Sequence, residues 1–138
     1  LGNIQKVPNR PIKGVLDLAE KPPGKGLWFM DTSSSAQEQV TLLAAAGASV
    51  HLFSTGQGNT CGHQILPVIK ITGNPITATK MSDNIDVDVS GITKGEMSLE
   101  EGGEKVFEYM LKVCSGKLTA AEIVRHDNFA ITRLYPSM

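Results

Sequence analysis

Cysteine is scarce in this chain: only Cys61 and Cys114 occur among 138 residues. That excludes a small extracellular module built on disulfides, and with no leader-like stretch at the start a reduced cytoplasm is the expected compartment. Long apolar runs are also missing. The longest, such as Leu27–Met30 and Leu42–Ala46, fall well short of the roughly 20 residues that a membrane-spanning helix needs. Neither sign of charge dominates. Thirteen Lys and Arg oppose fourteen Asp and Glu for a net charge of −1, and they are scattered, so no basic stripe marks a nucleic-acid or anionic-membrane partner. The length fits one ordinary domain with a single hydrophobic core.

Proline and glycine are concentrated at the start. Pro8, Pro11, Pro22 and Pro23, with Gly2, Gly14, Gly24 and Gly26 between them, oppose regular structure over residues 1–25, although Gly14–Leu18 has the makings of one short element. The expected division is therefore a linker or extended segment at 1–25 and an α/β domain at 26–138. The opening at Leu1 in such a segment reads as a chain cut from a larger one.

Beyond residue 26, strand and helix signals alternate. Leu27–Met30 is apolar on both faces and reads as a buried strand. Ser35 followed by Glu38 has the spacing of a capping box, and Val40, Leu43 and Ala44 then share a helical face up to Gly47. Ser49–Phe53 and Leu66–Thr72 read as strands, the second rich in β-branched residues but interrupted by Lys70. Asn74 with Pro75 behind it predicts a capped helix ending near Asp83. Asp86–Val89 alternates charged and apolar residues, as an exposed strand or extended loop would. Ser98 and Glu101 open the longest helix, ending at Gly116, while Thr119 and Glu122 mark a further start. Phe129–Tyr135 alternates as a final edge strand would.

This order predicts an α/β fold of two or three layers, with a mainly parallel, Rossmann-like sheet flanked by helices. In such folds the loops after the strands gather at one rim, where ligands bind. Those loops are Asp31–Ser35, Ser54–His63 and Thr72–Asn74.

The Ser54–His63 loop carries Gly56, Gly58 and Gly62. Backbone without Cβ atoms presents amide hydrogens closely to a carboxylate or phosphate; alternatively, the glycines only permit a tight turn. The loop matches neither the dinucleotide fingerprint nor the P-loop. Cys61 and His63 are two potential metal ligands, or a nucleophile and base, or ordinary loop packing. His63 is the candidate general acid or base, whereas His51 inside a strand and His126 near the tail read as structural or solvated. Asp31 could bind a hydroxyl, orient a metal ligand or support a helix start. Lys70 could pair with a substrate carboxylate or snorkel to solvent. Asp83, Asp86 and Asp88 lack the glycine and glutamate of a calcium loop and read as a solvated edge.

Taken in order, Phe29-Met30-Asp31-Thr32, Ala45-Ala46-Gly47-Ala48, Phe53-Ser54-Thr55-Gly56-Gln57-Gly58, Pro67-Val68-Ile69-Lys70-Ile71 with Asn74, and Ile85-Asp86-Val87-Asp88 resemble the C-terminal region of the galactarate dehydratase and altronate dehydratase family. Leu1-Gly2-Asn3-Ile4-Gln5-Lys6 resembles the segment that precedes that region. The resemblance implies loss of water from a hexarate or hexonate to give a 2-keto-3-deoxy acid. It also implies a divalent metal such as iron(II) in the complete enzyme; the loops here hold no obvious metal set, so the ligands and main base are expected in an N-terminal remainder. An exposed linker and a domain parted from its partners are consistent with a homo-oligomer. As an enzyme domain the chain is expected to contact substrate through Asp31, Thr32, Thr55, Gly56, Gln57, Gly58, Asn59, Lys70 and Asn74, with Asp31, Thr55, Gly56, Gln57 and Asn74 lining one cleft and His63 as the catalytic candidate. The stretch Asn59-Thr60-Cys61-Gly62-His63 departs from the sugar-acid enzymes. Chains with glutamine between the two glycines include the large subunit of sulfolactate sulfo-lyase, which eliminates sulfite in place of water. A stand-alone binding or assembly module is the non-catalytic alternative.

Overall fold

The computed structural model describes residues 9–131. Two small sheets, each wholly parallel, carry the fold. In the first, β1 (Ile12–Leu16) pairs with β2 (Leu27–Met30). The second has β3 (His51–Ser54), β4 (Val68–Thr72) and β5 (Val87–Asp88) in the order β3-β4-β5. The helices are α1 (Ala36–Ala45), α2 (Pro75–Lys80), α3 (Ser90–Lys94), α4 (Leu99–Cys114) and α5 (Ala120–Ile123), with a 3-10 turn at Ser82–Asn84.

Strand β4 is the centre of the larger sheet because both of its faces are covered. Val68 packs with Val40 and Leu66, and with Leu43 and Ala44 of α1. Its neighbour Ile69 packs with Val87 and with Val113, Val106 and Met110 of α4. Successive side chains of a strand point to opposite faces, so these contacts place α1 and α4 on opposite sides of the sheet in a three-layer arrangement. Each fully buried aliphatic side chain contributes about 1.5–3 kcal/mol. Val68 and Ile69, both fully buried, each contribute on that scale.

Several elements differ from expectation. A strand, β1, occupies part of the segment read as linker, close to the element anticipated at Gly14–Leu18. Strand β2 is half exposed rather than buried, with Phe29 42% and its β1 neighbour Val15 70% accessible. An apolar run reports what a strand could bury, not whether a layer is present to bury it. The helix after Asn74 stops at Lys80, and α3 carries no periodicity long enough to announce it. Of the three aspartates read as a solvated edge, Asp83 and Asp88 are exposed, but the Asp86 side chain is fully buried and Val87 beside it is 1% exposed. The expected strand Phe129–Tyr135 lies mostly outside the described residues, and its first three residues are not in a strand. The Leu1–Lys6 segment also lies outside them.

Gly47 takes φ +90° and closes α1 as a left-handed stop. Among the described residues, no helix is long and apolar enough to cross a membrane.

Candidate functional site

All strand partners are parallel, so the carboxyl ends of β2 and β3, of β4 and of β5 open onto polar turns. The turn after β2 and the edge strand β3 enclose a cleft of about 530 Å³, lined by Asp31, Thr32, Gln39, His51, Phe53 and Ser54 among others. A second cleft, of about 520 Å³, lies over the ends of β3 and β4. Thr55, Gly56, Gly73, Asn74 and Thr93 line it. Ser54, the last residue of β3, belongs to both clefts.

The Gly-rich loop that leaves β3 is held by side-chain bonds to its backbone. Asn74 Nδ2 and Thr77 Oγ1 both donate to Gly56 O, each at 2.8 Å. Thr55 Oγ1 accepts from Gly58 N at 3.0 Å, and Asn59 Oδ1 accepts from Cys61 N at 2.7 Å. Gly58 has φ +88°, and a Cβ there would collide with Met81 Sδ. Gly62 lies against the His126 carbonyl and Ala121, where no Cβ fits. These glycines serve close packing and a left-handed turn. Gly56, in contrast, faces open space.

The structure thus divides the residues singled out from sequence. Asp31 and Thr32 share the first cleft; Thr55, Gly56 and Asn74 share the second. Gln57 is exposed but lines neither cleft, and Gly58 and Asn59 shape the loop. His63 also lines neither. It is 9% exposed, stacks edge-on to Phe129 with ring centroids 6.3 Å apart, and its Nδ1 accepts from Ile65 N at 3.4 Å. Burial pushes its pKa below the usual imidazole value.

Lys70 neither snorkels nor reaches a cleft. It is fully buried, and its Nζ donates to Cys61 O at 3.2 Å and lies 4.0 Å from Asp86 Oδ2. The even spacing of strand residues explains this, because Val68, Lys70 and Thr72 share one face of a central strand. Burial lowers the Lys70 pKa, and the Asp86 carboxylate works against that shift. Burial likewise pushes the Cys61 thiol up, with Lys70 opposing. A desolvated thiol of that kind is a weak nucleophile.

His51 is the imidazole that does line a cleft, a role the sequence reading did not give it. Burial pushes its pKa down, which favours the neutral form able to accept a proton. Its ring lies 5.6 Å from that of Phe53, edge to face. The signal was the brevity of β3 and its polar ends, His51 and Ser54. These suit an edge strand with one open side, whereas an interior strand would bury them.

Among the described residues, no three His, Cys, Asp or Glu side chains come together as a metal site. Cys61 and His63 have no third partner of that kind, and Asp86 is committed to other bonds. The residues present do not fit a resident metal by themselves. What the clefts do offer is hydroxyls, one carboxylate and backbone near the carboxyl ends of the strands, with one imidazole at the amino end of β3. Such a set suits a small polyhydroxy acid better than an apolar ligand.

Comparison with known proteins identifies the family. Residues 1–137 match the family model described as D-galactarate/Altronate dehydratase, C-terminal. The chain is 54% identical over 138 residues to the (2R)-sulfolactate sulfo-lyase subunit beta of Chromohalobacter salexigens, covering 99% of this chain and 36% of that protein. It is 35% identical over 117 residues to the galactarate dehydratase (L-threo-forming) of Escherichia coli, covering 85% of this chain and 22% of the relative. With the altronate dehydratase of Bacillus subtilis it shares 29% over 122 residues, 88% of this chain and 24% of the relative. The chain therefore spans about a third or less of the length of these relatives, all of which bear the names of lyases. It belongs to the D-galactarate/altronate dehydratase family, whose C-terminal region it matches from residue 1 to residue 137.

Proposed function

We propose that this chain is the C-terminal domain of a lyase that removes a β-substituent from a 2-hydroxy acid, and that its two adjoining clefts hold the substrate. In this reaction the C2–H bond breaks as a base takes the proton, and the bond from C3 to the leaving group breaks with departure of that group. The resulting enol tautomerises to a 2-keto acid. Charge develops on the substrate carboxylate as the proton leaves, so donors already aimed at that position lower the barrier.

Thr32, Ser54 and Thr55 offer hydroxyl donors, and the backbone around Gly56 offers close approach without side-chain obstruction. Asp31 accepts from a substrate hydroxyl, and His51 is placed to exchange a proton at the cleft wall. The single observation that carries the reading is the meeting of the clefts at Ser54, on the carboxyl rim of parallel strands. In the whole enzyme a divalent metal, iron(II) being the expected ion, would take its ligands from outside this chain. An N-terminal remainder completes the enzyme, a reducing cytoplasm is its setting, and a homo-oligomer is its expected form.

Two leaving groups fit. Loss of water from galactarate, altronate or a similar sugar acid follows from the family as a whole. The 54% identity to a sulfolactate sulfo-lyase subunit, against 35% and 29% for the dehydratases, favours loss of sulfite. Incubation of the full-length protein, purified with its partner subunits, with galactarate, altronate and (2R)-sulfolactate decides the matter. Release of a 2-keto acid with sulfite, or without it, identifies the leaving group. Neither turnover nor calorimetric binding of any of the three would overturn the proposal and favour an assembly role.

A further inference from the structure

The Gly-rich loop is fastened at its near end by Asn74 and Thr77 on Gly56 O. Its far end carries an unusual fastening. Cys61 O accepts from the ammonium of Lys70, a side chain 1% exposed and rooted in the central strand β4. We propose that Lys70 is a positioning residue: it clamps the far end of the loop so that the span from Gln57 to Thr60 is held beside the substrate clefts.

The surroundings of Lys70 support a placing role. Its partner Asp86 does not depend on the ammonium for neutral hydrogen-bond satisfaction. Asp86 Oδ2 accepts from Lys70 N at 2.7 Å, and Oδ1 accepts from Ala120 N at 2.7 Å and from Tyr109 OH at 3.1 Å. That carboxylate thus joins β4 to α4 and to the start of α5. The ammonium adds the loop to the same hub. Sinking a charge into a central strand is costly. An apolar residue of similar length would spare that cost, but it would leave the buried Asp86 carboxylate without a counter-charge and the Cys61 carbonyl without this donor. Between the two fastenings Gln57 and Thr60 remain exposed, while Gly58 packs against Met81 and Thr77.

This inference rests on the reading that the loop borders the substrate site, and its test separates the two. In the full-length protein, Lys70→Met is expected to speed hydrogen exchange of peptides covering residues 55–63 by about tenfold. It should raise KM for the hydroxy acid about tenfold while kcat stays within about twofold, the signature of a displaced binding loop. Lys70→Gln keeps a donor without the charge and should restore KM to within about threefold of the wild type. A folded Lys70→Met protein with unchanged loop exchange and KM would overturn the clamp. So would a Lys70→Gln protein that behaves like Lys70→Met, since Lys70 would then serve only to neutralise Asp86. Should both variants fail to fold, the wild type decides. A clamped loop protects the Gly58 and Cys61 amides about a hundredfold or more over an open loop, and exchange at the open-loop rate overturns the proposal. If the wild type turns over no hydroxy acid, the functional reading fails while the exchange arm still decides the clamp.

Discussion

Asn74 joins two parts of the chain through one side chain: its Nδ2 donates to Gly56 O at 2.8 Å while its Oδ1 accepts from Ile76 N at 3.0 Å. Helix α2 is capped by the same group that secures the loop. Asn74→Asp preserves the cap but replaces the donor facing Gly56 with an acceptor. It should lose about 1–2 kcal/mol of stability, and Asn74→Ala, which gives up both bonds, about 1 kcal/mol more. Urea unfolding of the two variants checks this. Equal stability of Asn74→Asp and the wild type would show that the loop bond contributes nothing.

Gly56 and Gly58 are separated by one residue but should respond oppositely to a methyl group. A Cβ on Gly58 meets Met81 Sδ and the backbone sits at φ +88°, so Gly58→Ala should cost about 1–3 kcal/mol. Shortening the neighbour in a Gly58→Ala/Met81→Ala double variant relieves the collision but not the dihedral strain, and removes some packing. Partial recovery at most is therefore expected. Gly56 faces open space, and Gly56→Ala should leave the thermal midpoint nearly unchanged.

Three Ser/Thr-x-x-Glu signatures stand at helix starts, and they do not behave alike. Ser98 with Glu101 and Thr119 with Glu122 form reciprocal capping boxes. Ser35 is the N-cap of α1 but makes no side-chain cap bond. Its amide instead donates to Ser33 Oγ at 3.1 Å, and Glu38 is buried at 9% exposure. Ser98→Ala should therefore cost about 1 kcal/mol, with Ser35→Ala close to neutral. Chemical denaturation of the pair tests this, and equal losses would contradict it.

Those three signatures show where the sequence was legible. Local rules held where a helix end faces solvent, as at Ser98, or where one side chain sets the turn, as at Asn74-Pro75 and Gly47. They failed where tertiary burial competes, as at Glu38. The parallel order was readable from alternating strand and helix signals, but the split into two sheets was not, because no local signal says which strand edges meet. Asp86 and Lys70 lie 16 positions apart and look like a solvated edge and a snorkelling cation until β4 and β5 pair. Their burial follows from that pairing and from the helices packed against it. The clefts were partly legible, since polar residues after apolar strands mark Asp31, Thr55 and Asn74. His51 escaped notice because strand membership does not tell an edge strand from an interior one.

Tyr109 gives the alkaline limb of stability a definite sign. Burial first, then the Asp86 carboxylate and the hydrogen bond to it, push its pKa from 10.0 up to about 12. A group with a raised folded pKa stabilises fully below its unfolded value, and that contribution is lost as the pH climbs through the folded value. Stability supplied by the neutral phenol should thus be intact below pH 10 and decline towards about 12. Lys70, whose pKa burial lowers, acts in the opposite sense, so only a comparison of variants isolates the phenol. Tyr109→Phe should have a lower urea midpoint at neutral pH and a shallower alkaline decline than the wild type. Parallel declines would show that Tyr109 ionises without resistance.

The two imidazoles near the loop offer the sharpest functional contrast. His51 lines the first cleft with Asp31, whereas His63, at the loop's far end, packs against Phe129 and accepts from the Ile65 amide. Proton transfer by a placed side chain accelerates a reaction by about 10²–10⁴-fold. In the full-length enzyme, His51→Gln should therefore lower kcat about a hundredfold if His51 moves the proton. If it only binds substrate, the loss should appear in KM with kcat nearly unchanged. His63→Gln should stay within about threefold of the wild type in both constants, since an amide oxygen can replace the ring nitrogen as acceptor for Ile65. Acid acts on both histidines in the same sense. Burial lowers both pKa values from 6.5, so stability drains from the fold as the pH falls below that value and each ring must be protonated. His63→Gln removes one such group and should flatten the acid limb of the urea midpoint without touching turnover. A hundredfold loss of kcat in His63→Gln alongside an unaffected His51→Gln would return the catalytic role to the loop.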